Sequence, residues 1–119
     1  MLSTERFIYK ICTVSEWQSL QSSGSFAGNV LDRETGYLHL SLPRQLPRIV
    51  KKYFASREGI VFLKISLEKV KAHLKWEPNS QGDLFPHLYG VLQREHVEDV
   101  FETLEDVLAK NPVETAEKA

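Results

Sequence analysis

Two histidines sit in apolar company. His39 lies in Gly36-Tyr37-Leu38-His39-Leu40-Ser41 and His87 in Phe85-Pro86-His87-Leu88-Tyr89-Gly90, with Trp76-Glu77-Pro78 between them. Each segment places a polar, titratable group inside an apolar stretch, where burial is costly unless the group is hydrogen-bonded or used. Three such places in a small domain point to one shared pocket. A neutral imidazole offers one donor and one acceptor, so His39 suits a sugar hydroxyl or a phosphate; the same strand also suits a half-buried histidine bonded to backbone. His87 and Tyr89 are two apart and share one side of a strand. They pair a titratable base with an aromatic face on which a planar ring can stack, or form a bulged core strand with a satisfied histidine. Glu77 beside the Trp76 indole is expected to be partly desolvated, which raises a carboxyl pKa and suits a general acid or base. The alternative is a surface Glu77 and a core Trp76.

The other candidates are weaker. His73 and His96 stand in charged contexts and read as solvated, and no histidine pair has the short helical spacing of a zinc site, so no metal is expected. Arg44, Arg48, Lys51, Lys52 and Arg57 form a basic run. It is either a solvated helix face or a landing surface for a phosphate-bearing ligand, RNA included. Cys12, the one cysteine, lies in an apolar strand and reads as a buried inert thiol. A single thiol excludes a disulfide framework and a thiolate-rich metal cluster. The 119 residues suffice for one domain, and the net charge of -1 gives no long-range attraction for nucleic acid. Met1 to Arg6 carry no apolar signal core, and no apolar run is long enough to span a bilayer. A soluble, cytoplasmic protein without membrane contact is expected.

The elements that must position these groups follow from periodicity. Phe7 to Cys12 reads as a strand, and Ser15 as the N-cap of a helix from Glu16 to about Ser22. Ser22 to Thr35, rich in Ser, Gly and Asn, reads as a loop of a length often tied to function. Tyr37 to Ser41 alternates, with Tyr37, His39 and Ser41 opposite Leu38 and Leu40. Leu42, Leu46, Ile49, Val50 and Tyr53 recur at helical spacing to about Phe54, with the regular helix starting near Pro47. Ile60 to Ile65 is a central strand, Leu67 to Ala72 a helical turn, His73 to Glu77 a strand and Pro78 to Asp83 a loop. Leu84 to Leu92 is a strand interrupted by Pro86. A strand near Glu98 to Glu102 leads to a helix over about 104–110, capped at Thr103 and stopped by Pro112, with a frayed tail over 113–119. The mixture is α+β: one compact domain of bent, mixed or antiparallel sheets with short helices.

These motifs, taken in order with Ile8-Tyr9-Lys10-Ile11, Glu16-Trp17, Gln45 and Tyr53-Phe54, resemble the uncharacterised domain-of-unknown-function family 952 from about Phe7 to Phe101. More distantly, a Tyr-containing first strand, a helix, a strand ending His-x-Ser and a further helix resemble the ADP-ribosyltransferase fold, nearest its RNA 2'-phosphotransferase branch. That resemblance implies a nucleotide pocket for NAD or an ADP-ribose-like ligand, either binding alone or serving an NAD-dependent transferase or glycohydrolase. It implies that His39 holds a ribose hydroxyl or the adjacent phosphate and that Ser41 supports the nicotinamide ribose. His87 and Tyr89 would meet the nicotinamide, and Glu77 would face the oxocarbenium-like charge. Trp76 would be a further cofactor-binding residue. Both families usually carry a histidine after the first-strand tyrosine. Here Lys10 stands there, a donor to phosphate or hydroxyl but no base at neutral pH.

Overall fold

The first strand carries a contradiction that organises the domain. In β1, Phe7–Thr13, the alternation puts Tyr9 and Ile11 on one face and Ile8, Lys10 and Cys12 on the other, and every one of these five is buried. A lysine in the middle of an apolar face requires a partner of opposite charge. The computed structural model describes residues 6–55 and 58–110; Arg57, Pro112, the tail over 113–119 and the N-terminal 1–5 lie outside them.

β1 is followed by α1 (Val14–Ser23), β2 (Ser25–Phe26), α2 (Val30–Thr35), β3 (Leu38–His39), α3 (Leu46–Tyr53), β4 (Ile60–Ser66), α4 (Leu67–Val70), β5 (Leu74–Pro78), β6 (Leu84–Leu88), β7 (Leu92–Gln93), β8 (Val97–Phe101) and α5 (Leu104–Ala109). All strand pairing is antiparallel. One sheet has the order β1-β4-β8, a second β3-β6-β5, and β2 pairs with β7. The two larger sheets are joined just past β3, where Ser41 and Tyr9 exchange two backbone hydrogen bonds of 2.8 and 2.9 Å. Leu40 still donates to the Pro86 carbonyl of β6 at 3.1 Å, so the chain passes from β6 to β1 between Leu40 and Ser41.

Each face of the β1-β4-β8 sheet buries its own core. Ile8, Cys12, Val61, Leu63 and Ile65 pack with Leu20 of α1, with Leu38, Leu40 and Leu42, and with Leu88 and Leu92. Tyr9, Ile11, Ile60, Phe62 and Phe101 pack under Leu46 and Val50 of α3 and Leu104 and Val107 of α5. Cys12 is buried, and burial, helped by the nearby Glu16 charge, pushes its thiol up to about 12.

Several expectations hold and several shift. The strands around β1, β4, β5 and β8 and the Thr103 cap of α5 stand as expected, with Thr103 Oγ1 accepting from the Asp106 amide at 3.0 Å. Helix α1 starts two residues before the expected Glu16, because Thr13 rather than Ser15 is the N-cap: its hydroxyl takes the Glu16 amide while the Glu16 carboxylate takes the Thr13 amide. Pro47 lies in the first turn of α3, preceded by a 3-10 turn over Pro43–Gln45. Buried Gln45 stitches that turn to β6 by donating to the Leu84 carbonyl at 2.7 Å. The expected strand over Leu84 to Leu92 divides: β6 ends at Leu88, the Tyr89 amide turns to the His73 carbonyl, and Leu92 joins β2 instead.

The largest correction is the segment expected to be one loop over Ser22 to Thr35, which contains β2 and α2. Asn29 caps α2 and shares a reciprocal capping box with Asp32. Gly28, at φ +114°, lets the backbone pass against Asp32; a Cβ there would stand 2.5 Å from Asp32 Cβ and 2.8 Å from Leu38 Cδ2. Gly28→Ala therefore combines an unfavourable backbone angle with a clash against the site-forming helix. The expected loss is on the order of 2–4 kcal/mol, read from the urea midpoint. Cys12 is expected to resist alkylation by iodoacetamide in the native protein and to react only after denaturation.

Candidate functional site

The partner that Lys10 requires is Asp32. Lys10 Nζ lies 2.9 Å from Asp32 Oδ2, with the two side chains 3% and 1% exposed. The same carboxylate takes three more hydrogen bonds. The Asn29 amide donates to Oδ2 at 3.0 Å, the His39 amide donates to Oδ1 at 3.1 Å, and His39 Nδ1 lies 2.6 Å from Oδ1. Burial by itself would raise this carboxyl. The His39 bond, the Lys10 charge and the bonds from Lys10 and Asn29 outweigh that effect and hold it well below the usual carboxylate range. Lys10 also donates to the His39 carbonyl at 3.2 Å. The residue that sequence reasoning missed is thus Asp32, and its signal was the Asn29-x-x-Asp32 spacing of a capping box.

A second histidine–carboxylate pair stands beside the first. His87 Nδ1 lies 2.7 Å from Glu77 Oε1, and the Tyr89 hydroxyl donates to the same oxygen at 2.8 Å. Strand register brings the two pairs together. His39 is directly opposite His87 across β3 and β6, and Lys75 is opposite His87 across β5 and β6. Glu77 is two residues along from Lys75 and so on the same face. The imidazole centroids are 5.4 Å apart. Tyr37 stacks on His87 at 4.1 Å and also contacts His39 and Tyr89, closing one side of the cluster.

Two expectations need correction. Glu77 is not raised by the indole: its side chain is 36% exposed, and the bonds from His87 and then Tyr89 hold its carboxyl below its ordinary value. Trp76 points to the opposite face of β5, where it lines a separate groove with Phe7, Leu67 and Leu74. Tyr89 is also committed, since its bond to Glu77 pushes the hydroxyl up to about 12 and Lys75 Nζ stands 4.7 Å over its ring.

Lys10, Asp32, His39, Ser41 and His87 line one cavity of about 540 Å3, within the roughly 300–1,000 Å3 typical of small-molecule sites. Arg48 and Lys52 enter it from one face of α3, Tyr53, Phe54 and Phe85 supply aromatic wall, and the β5–β6 loop contributes Asn79, Ser80 and Gln81. Of the residues expected at the site, the structure thus gathers Lys10, His39, Ser41 and His87 on the cavity. Glu77 and Tyr89 stand behind His87, and Trp76 is elsewhere. With Nδ1 of both histidines facing a carboxylate, Nε2 is the free ring atom, and among the described residues neither Nε2 makes a protein hydrogen bond. Among the described residues, no group of three or more His, Cys, Asp or Glu is placed to hold a metal ion.

The energetics make Asp32 a test of this arrangement. A carboxylate whose folded pKa is depressed contributes stability above its unfolded value, here 3.8, and loses it as pH falls toward the folded value. Wild-type stability is therefore expected to decline below about pH 4, and the Asp32→Asn protein should show a flatter acid limb. At neutral pH that substitution leaves Lys10 buried without a counter-ion and should cost about 3–5 kcal/mol. Urea unfolding at pH 3 to 7 for both proteins measures both effects.

Comparison with known proteins places the chain. No curated protein matches it. Among solved structures, the crystal structure of protein CC0527 from Caulobacter crescentus is 32% identical, with a TM-score of 0.80, over 87% of this chain and 98% of that one. A doubly substituted form of the same protein gives the same values. Its solution NMR structure is 33% identical, with a TM-score of 0.73, over 81% of this chain and 83% of that one. Among the described residues no helix is long and apolar enough to cross a membrane. Residues 11–100 match the family described as protein of unknown function (DUF952), and the chain belongs to that family.

Proposed function

We propose that the cavity binds a small phosphate-bearing ligand of nucleotide type. The observation that carries this reading is convergence. Arg48 and Lys52, one helical turn apart on α3, meet two imidazoles with free Nε2 atoms across a single cavity with aromatic wall. Cations of this kind hold phosphate by charge-assisted hydrogen bonds. Tyr53, Phe54 and Phe85 provide surface for a planar ring, and Ser41, Asn79 and Gln81 supply partners for hydroxyls. Lys10 is not among the ligand's cations, because Asp32 already neutralises it.

The distant sequence resemblance to the ADP-ribosyltransferases makes NAD and ADP-ribose the first ligands to try. Binding is the better supported half of that likeness. The carboxylate expected to face the oxocarbenium-like charge, Glu77, bonds to the Nδ1 of His87 behind the cavity rather than lining it. RNA is the less favoured partner. Two cations in a cavity describe a phosphate-sized site, whereas a nucleic-acid surface needs a string of them.

An amide-resolved NMR titration with NAD and with ADP-ribose tests the reading. Saturable shifts are expected at His39, Ser41, Arg48, Lys52 and His87, and little at Trp76. Removing both cations in the Arg48→Ala/Lys52→Ala protein should weaken binding about 10-fold or more, since a hydrogen bond to a charged group contributes about 1.5–3 kcal/mol. Absence of shifts at millimolar ligand would overturn the proposal. So would a steep salt dependence with charge-reversal effects at Arg44 and Lys51, which would move the protein to the RNA class.

A further inference from the structure

We propose that His39 and His87 are a general base and a general acid that hydrolyse a phosphodiester in the cavity, an inference that rests on the phosphate-binding reading above. Binding alone does not call for two imidazoles built in the same way. Each ring is fixed through Nδ1 by a carboxylate from a different element, Asp32 of α2 for His39 and Glu77 of β5 for His87. Each leaves Nε2 without a protein partner among the described residues. The strand register sets the rings opposite each other, with centroids 5.4 Å apart. Both rings line the same cavity, so each Nε2 can reach a different oxygen of one bound phosphoryl group by a hydrogen bond of about 2.6–3.2 Å.

The surroundings differ in charge, and that difference divides the labour. His39 faces Asp32, whose charge Lys10 already balances at 2.9 Å, so a neutral His39 leaves that cluster neutral. His87 faces Glu77, whose nearest ion-pair partner is His87 itself. Lys75, over the Tyr89 ring, acts on Glu77 only at longer range than Lys10 acts on Asp32, and Tyr89 gives Glu77 a neutral hydrogen bond. His87 is the group closest to Glu77 that can carry a balancing proton, at 2.7 Å. Across the cavity both rings face Arg48 and Lys52, and Tyr37 packs against both. The closer lysine at Asp32 assigns the acceptor's role to His39 and the donor's to His87.

The step balances with water as co-reactant. A water oxygen bonds to phosphorus as its proton passes to His39 Nε2. The bond from phosphorus to the leaving ester oxygen breaks, and that oxygen takes the proton from His87 Nε2. Arg48 and Lys52 offset the charge gathered on the other phosphoryl oxygens. Exchange with solvent then returns one proton to His87 and removes one from His39. The acid selects the substrate class. An alkoxide leaving from a phosphodiester needs a proton, whereas a phosphate leaving from a pyrophosphate, or nicotinamide leaving from a ribose, departs without one.

The probe is a 2',3'-cyclic nucleoside monophosphate with EDTA present, its ring opening followed by chromatography across pH. Binding of the 3'-monophosphate product is measured separately by NMR. The wild-type protein is expected to open the ring with a bell-shaped pH profile. His39→Ala and His87→Asn should each lower kcat about 100-fold or more while product affinity changes only a few-fold. His39→Ala should lose the low-pH limb and His87→Asn the high-pH limb. Because His87 is buried, His87→Gln serves as a second variant, and dispersed amide spectra identify the folded proteins. Product binding without ring opening, or ring opening that survives both substitutions, would overturn the acid–base pair and leave the ligand reading standing. Absence of binding would overturn both.

Discussion

The buried Asp32 carboxylate is the interaction on which the rest of the site depends. It ties α2 to β1 through Lys10 and to β3 through both the amide and the ring of His39, while its own helix is capped by Asn29. Without it, Lys10 would be a charge stranded between Ile8 and Cys12 in a core of leucine, isoleucine and valine. Burial of two charges is not in itself stabilising, because desolvation offsets most of the attraction. What this pair secures is position. It sets the tautomer and direction of one imidazole, and it does so from a helix too short to be held by its own propensity.

The second constraint is the antiparallel register of β3, β5 and β6. Facing His39 to His87 and placing Glu77 two residues from the partner of His87 requires no special residue, only that the pairing not slip. Leu38 and Leu88 oppose each other on the buried side of the same strands, and both sit in the core. The core thus locks the register that builds the polar face. A one-residue slip would turn the histidines into the leucine core and the leucines onto the polar face, at a cost the domain could not sustain.

Much of this was legible in the sequence, and the divide between what was and what was not is physical. β1, β4 and β5 announce themselves by alternation or by apolar runs, and α5 by its Thr103 cap. The histidine motifs were conspicuous because polar groups among leucines must be satisfied. Helix α2 was hidden: it is six residues long, its apolar residues Val30 and Leu31 are exposed, and a Ser/Gly/Asn-rich flank reads as loop. Its one local signal was the Asn29–Asp32 spacing. The partner of each histidine was equally hidden, since Asp32 and Glu77 reach their rings through tertiary pairing rather than neighbourhood. Trp76 and Glu77 looked like one unit because they are adjacent, but in a strand adjacent residues face opposite ways.

The substitution of Lys10 for a histidine looked like a loss of chemistry at the first strand. In the fold it has the opposite consequence. A permanent cation neutralises Asp32 and frees His39 from being that carboxylate's counter-charge. A histidine at the same place would leave Asp32 with imidazole partners alone, whereas Lys10 brings an ammonium group to 2.9 Å. The buried cation supplies structure and charge balance, and the half-exposed imidazole, its side chain 33% accessible, is left facing the cavity. Residue 10 therefore acts on the site through Asp32, orienting it from the cavity wall.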